Sequence, residues 1–112
     1  MSFVAFDSRG ALEAVDRILN RGGEPDAVLR DVLEAVRRRG VTFARIRFFA
    51  GGELVDAVVV GQAAAADETT IEFRGAPIGT LEVAADDPVF AERLATLVSA
   101  VSAESAKHFP RL

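Results

Sequence analysis

A chain of 112 residues with 13 basic and 17 acidic side chains carries a formal charge of −4; half of it is apolar, and it has no cysteine. That length gives one domain, residues 1–112, with apolar mass for a single core, and the mixed charge places it among soluble globular chains rather than disordered ones. The acidic balance argues against general affinity for nucleic acid or an anionic membrane, and the missing cysteine excludes disulfides, thiol catalysis and thiolate metal sites.

No apolar run approaches the roughly 18 residues of a membrane span. The opening "MSFVAFDSRG" has neither a basic leader region nor a long apolar one, so a cytoplasmic location is the default expectation. "DSRGALEAVDRILNRGG" reads as a first helix. Asp7 or Ser8 can cap it, Leu12, Val15, Ile18 and Leu19 recur at helical spacing, and the glycines stop it. "EPDAVLRDVLEAVRRRG" reads as a second helix, with Pro25 in its first turn and a stripe of Val28, Leu29, Val32, Leu33 and Val36. Arg37, Arg38 and Arg39 fall in its last turn. The plain reading is a solvated helix end that opposes the negative dipole; the functional alternative is an anion-binding patch.

"VTFARIRFFAGGELVDAVVVG" reads as a hairpin turning at Gly51-Gly52. That register sets Phe48 opposite Val55, Arg47 opposite Asp56 and Ile46 opposite Ala57. It puts Ala44, Ile46, Phe48, Val55, Ala57 and Val59 on one apolar face, and Arg45, Arg47 and Asp56 on the other, flanked by Phe43, Phe49, Leu54, Val58 and Val60. After the short connection "QAAAADE", the stretch "TTIEFRGAPIGTLEVAA" reads as a second hairpin with Gly75-Ala76-Pro77 as its loop. Ile71, Phe73, Leu81 and Val83 then face the core, while Thr70, Glu72, Arg74, Thr80 and Glu82 face outward. Gly79 falls on the core face, where a missing side chain would admit a helix. "DDPVFAERLATLVSAVSAESAKHF" reads as one long helix capped by Asp87 and opened by Pro88. It has a large apolar stripe, Phe90, Leu94, Leu97, Val98 and Val101, and a second stripe of small residues. The order α-α-β-β-β-β-α predicts an α+β fold: a four-stranded antiparallel sheet with helices on one face.

This pattern resembles a GAF domain, a ligand-binding and dimerisation module of bacterial signalling proteins. The resemblance is carried by "ALEAVDRIL", "DAVLRDVLEAVRRRGVTFARIRFF", "ELVDAVVVG" and above all "FRGAPIGTLEVAADDPVFAERLATLVSAVSA". It covers nearly the whole chain and rests on pattern, with no diagnostic motif. It implies a regulatory module, and it implies that the outer sheet face is where a ligand would bind. Ligand-binding members carry a long insertion between the hairpins that lids this face. Here that region has shrunk to "QAAAADE", which leaves little to wall off a pocket. Bilin-binding members and methionine sulfoxide reductases of the family need cysteines, and this chain has none. Haem-binding members need an axial ligand such as histidine, and the one histidine, His108, stands near the chain end. The asparagine-lysine-phenylalanine-aspartate-glutamate signature of cyclic-nucleotide binders has no counterpart. No cofactor or metal is expected.

Two surfaces emerge as candidates. The first is the outer sheet face with Arg45, Arg47, Asp56, Glu72, Thr80 and Glu82. It reads as a cross-strand ion-pair ladder or, alternatively, as a shallow site where the arginines hold an anion. The second is a homodimer interface of the first and last helices, through Leu12, Val15, Ala91, Ala95, Ser99, Ser102 and Ala106, where small side chains would let a second helix approach. A surface helix with one buried face needs only one stripe. Ser99, Ser102 and Ser105 have no evident histidine or lysine base, so no enzyme activity is expected. The sequence thus points to a non-enzymatic signalling and dimerisation module, with an anion sensor as the alternative.

Overall fold

The computed structural model describes residues 5–109; residues 1–4 of the "MSFVAFDSRG" segment lie outside the described residues. Two helices, α1 (Ser8–Arg21) and α2 (Pro25–Arg38), precede four strands: β1 (Phe43–Ala50), β2 (Glu53–Gly61), β3 (Asp67–Phe73) and β4 (Ala76–Val83). Two further helices complete the order, α3 (Pro88–Leu97) and α4 (Ser99–Ala106). The strands form one antiparallel sheet in the order β2-β1-β4-β3, so the class is α+β as expected. α2 packs on β2 and β1, α3 on β3 and β4, α4 bridges β3 and α2, and α1 packs on α2.

The helix starts use the residues read for them. Asp7 accepts the Gly10 N–H at 2.9 Å and Asp87 accepts the Phe90 N–H at 3.0 Å, each satisfying a first-turn donor. The expected single C-terminal helix is broken at Val98, which has φ −92° and ψ 3°. Thr96 Oγ1 donates to the Glu92 carbonyl and Ser99 Oγ to the Thr96 carbonyl, competing with the backbone ladder on either side of the break. The two halves pack differently. α3 lies on the β3–β4 hairpin, while α4 reaches α2, where Ser105 Oγ donates to Asp26 Oδ1 at 2.5 Å.

Both hairpins depart from a simple two-fold alternation. Gly51 and Gly52, at φ 61° and 83°, form the expected turn, and Phe49↔Leu54, Phe48↔Val55 and Arg47↔Asp56 pair as read. Then Ile46 pairs with Val58 rather than Ala57, so Ala57 is the extra residue of a β-bulge. Beyond it the faces invert. Val58 and Val60 are buried in the core, whereas Val59 is 41% exposed. Ala57 packs against the core as read, but the core face predicted for Val59 and the outer face predicted for Val58 and Val60 are corrected, because one inserted residue moves every later side chain across the sheet. In the second hairpin the turn is Arg74-Gly75, at φ 53° and 78°, with Phe73↔Ala76 paired, instead of the three-residue loop. A bulge at Ile78 then sets Ile71 opposite Gly79. Arg74 stands over the Phe73 ring at 5.1 Å, a local contact favouring its left-handed backbone.

Gly79 is required by a strand, not a helix. A Cβ there would stand 2.0 Å from the Arg47 carbonyl oxygen of β1, and one at Gly61 would stand 2.1 Å from that of Thr42. We expect Gly79→Ala to cost about 2 kcal/mol or more, because backbone must move to admit the methyl. Gly51→Ala, where no atom lies within 4 Å, should cost roughly 1 kcal/mol through its positive φ alone. Urea unfolding of the two variants measures the difference; equal costs would contradict the steric account.

Candidate functional site

The outer face of the sheet collects the charged side chains that the strands turn away from the helices. β1 contributes Arg45 and Arg47, β4 contributes Thr80 and Glu82, and the register sets Arg45 against Glu82 and Arg47 against Thr80. Glu82 is the centre. Its Oε1 accepts Arg45 Nη2 at 2.6 Å and Arg47 Nη2 at 2.7 Å, and its side chain is only 13% exposed. Arg45 also reaches Asp56 at 3.5 Å, and Arg47 reaches Glu68 at 2.9 Å. Arg47 and Asp56 are neighbours in register as read, but Asp56 pairs with Arg45; Arg45–Glu82 runs straight across the ladder, while Arg45–Asp56 and Arg47–Glu82 run diagonally. Hydrogen bonding to Glu82 raises the Arg45 pKa against the opposing effect of burial, and the charges of Glu82, Asp56 and Glu68 assist. The guanidinium also lies 5.6 Å from the ring centroid of Phe43, an outer-face residue that is nonetheless 1% exposed.

Of the residues read for this face, Arg45, Arg47, Asp56, Thr80 and Glu82 come together. Glu72 does not join them. It lines a shallow depression at the β3 edge with Glu92, Thr96 and Ser99 of the helices. Glu68 was missed because residues 62–68 read as a connection, whereas β3 begins at Asp67 and pairs Glu68 with Glu82. The alternation Glu68, Thr70, Glu72 was the signal for it. Two arginines therefore face three carboxylates, and an anion would have to displace Glu82 to gain both guanidiniums. Arg47 Nε and Thr80 Oγ1 are buried without a hydrogen-bond partner among the described residues.

The small-residue stripe faces inward. Val15, Ala91, Ala95 and Ser102 are 0%, 1%, 5% and 0% exposed in the single chain, so they fill the protein's own core and offer nothing to a second copy. Ser99 and Ala106 are half-buried, and Leu12 packs against the core from its edge. Packing within the chain explains the correction: α3 lays Ala91 and Ala95 on the β3–β4 hairpin, and α4 packs on β3, β4 and α2. What α1 and α3 leave open is an apolar groove of about 610 Å³, lined by Leu12, Asp16, Val89, Glu92, Arg93, Thr96 and Leu97. Val89 is 65% exposed and Leu97 37%. Sequence periodicity placed Leu97 in the core stripe and did not single out Val89.

Among the described residues no group of three or more histidine, cysteine or acidic side chains is arranged to hold a metal ion, and His108 is exposed. No helix among them is long and apolar enough to cross a membrane.

The centrality of Glu82 is testable. Glu82→Ala should cost about 2 kcal/mol, since it strips a charged acceptor from two half-buried guanidiniums. Asp56→Ala, at the exposed end of the network, should stay within about 0.5 kcal/mol. Denaturant titrations of both variants would show this, and a Glu82 effect as small as that of Asp56 would refute it. Compared with known proteins, the chain matches no protein-family model and no curated protein.

Proposed function

We propose that the chain is a non-enzymatic, GAF-like interaction module that forms a homodimer and serves a regulatory role in signalling. The observation that carries this reading is the groove between α1 and α3, where Val89 and Leu97 expose apolar surface beside Leu12. Large exposed apolar side chains gathered in one concave strip mark interaction surfaces. The rim suits a two-fold contact. Asp16 on α1 and Arg93 on α3 carry opposite charges on opposite walls, so Asp16 of one copy can meet Arg93 of the other twice over. The dimerising elements of this reading are α1 and α3, through Leu12, Val89 and Leu97 rather than the small stripe. The regulatory setting comes from the GAF resemblance, which the order of two helices, four antiparallel strands and closing helices supports; the short connection that stands in place of a lid favours interaction over ligand sensing.

The sensor reading needs Arg45 and Arg47 open to an anion. Glu82 holds both at 2.6 and 2.7 Å, which places the interaction reading first.

Light scattering on the purified chain should report a dimer at micromolar concentration. Val89→Asp and Leu97→Glu, each on the exposed side of its helix, should give monomers with unchanged circular dichroism. A monomer from the unsubstituted chain at high concentration would end the proposal. A thermal-shift screen with nucleotides and organic acids tests the sensor: stabilisation that Arg45→Gln abolishes would bring it forward.

A further inference from the structure

We propose that the groove between α1 and α2 is a second docking site, one that receives an acidic amphipathic helix of a partner protein. The two helices form an antiparallel hairpin joined by residues 22–24, and an open groove of about 680 Å³ runs between them. Arg17 and Arg21 line it from α1, and Arg30, Arg38 and Arg39 from α2 and its cap. Asp31 and Glu34 are its only carboxylates among the described residues. A chain of net charge −4 therefore gathers five of its arginines in one cleft.

Part of that charge is answered within the chain. Arg21 meets Asp31 at 2.8 Å, and Arg39 meets Asp7 at 3.3 Å. Arg17, Arg30 and Arg38 are exposed and have no ion-pair partner among the described residues. Complementing helix dipoles accounts for cations in the last turns, such as Arg21 and Arg38. It does not account for Arg30, in the second turn of α2, far from the C-terminal end where the dipole favours a cation. The run Arg37, Arg38, Arg39 also divides here: the latter two line the groove and Arg37 does not.

The shape selects the occupant. The groove is floored by Ala14, Ile18 and Ala35, apolar side chains of which two are small enough for a third helix to settle between the first two. Arg17 and Arg21 are one turn apart and Arg30 and Arg38 about two, so carboxylates recurring every fourth residue of a docked helix meet arginines on both walls. An apolar strip between them covers Ile18. The helix-in-groove mode with charged flanks is a general one for peptide recognition. A duplex or a lipid surface would instead meet the acidic remainder of the chain, which repels it.

The test uses the full chain and a fluorescein-labelled three-turn peptide with glutamates on both flanks of an alanine–leucine face, followed by anisotropy. Saturable binding is expected at about micromolar to 100 μM, weakening several-fold between roughly 0.05 and 0.5 M salt. The double variant Arg17→Glu, Arg38→Glu should weaken it at least tenfold with an unchanged melting temperature. Should that variant fail to fold, Arg17→Gln with Arg30→Gln serves, and a several-fold loss is expected. The Val89→Asp variant should bind as the parent does, which separates this site from the dimer groove. No saturable binding below about 1 mM, equal binding of a scrambled peptide, or tighter binding of duplex DNA or of phosphatidylserine vesicles would each overturn the proposal.

Discussion

The fold depends on how closely its strands approach β1. The carbonyl oxygens of Thr42 and Arg47 occupy the places where side chains at Gly61 and Gly79 would stand. Each glycine lies on a strand that flanks β1, one on either side. Bare backbone at these two points lets β2 and β4 close on the central strand, while bulges at Ala57 and Ile78 turn the neighbouring side chains to the opposite face. The bulge in β2 delivers Val58 and Val60 to the core, where they join Ala44, Ile46 and Phe48 beneath α2. The straight pairing of β1 with β4 aligns Arg45 with Glu82. Core and charge network are consequences of one set of strand spacings.

The helical layer answers this sheet in two pieces. Had residues 88–106 run straight, one axis would have had to serve both the β3–β4 hairpin and α2. The Ser99 hydroxyl draws on the Thr96 carbonyl beside Val98, and the helix is interrupted there. α4 is then tied to α2 by the Ser105–Asp26 hydrogen bond, and Phe109 stacks edgewise on Phe48 at 5.4 Å. The start of α3 is tied to β3, since the Asp87 N–H donates to Asp67 Oδ2 at 3.1 Å.

Element types and their order as far as α3 were legible in the sequence because caps, turn glycines and apolar periods pointed the same way; the division of the last helix at Val98 was not, since its apolar period runs on through the break. Turn geometry was legible where both central residues were glycine and misread where Arg74 took one of the positive-φ places, which composition gives no reason to expect. Bulges escaped for a related reason. A strand of consecutive valines, Val58, Val59 and Val60, has the same hydropathy in either register, so nothing local reports an inserted residue. Arg45, Arg47 and Glu82 could be assigned to one face from alternation alone. That Glu82 bridges both arginines, and that Glu68 completes the set, depends on which strands are neighbours, a three-dimensional fact. The small-residue stripe could be recognised as a stripe, but its direction depends on which surfaces α3 and α4 pack against, β3, β4 and α2.

The sheet also sorts charge by side. On its outer face two arginines are set against three carboxylates, while beyond the opposite face the cleft of α1 and α2 holds five arginines with two. The two local excesses are of opposite sign and lie on opposite sides of the sheet. A small acidic partner that approaches the cleft is drawn to its arginines, and that attraction turns the chain toward it before they touch. The orientation is acquired over roughly a Debye length, about 8 Å at physiological ionic strength, and is lost as salt shortens that reach.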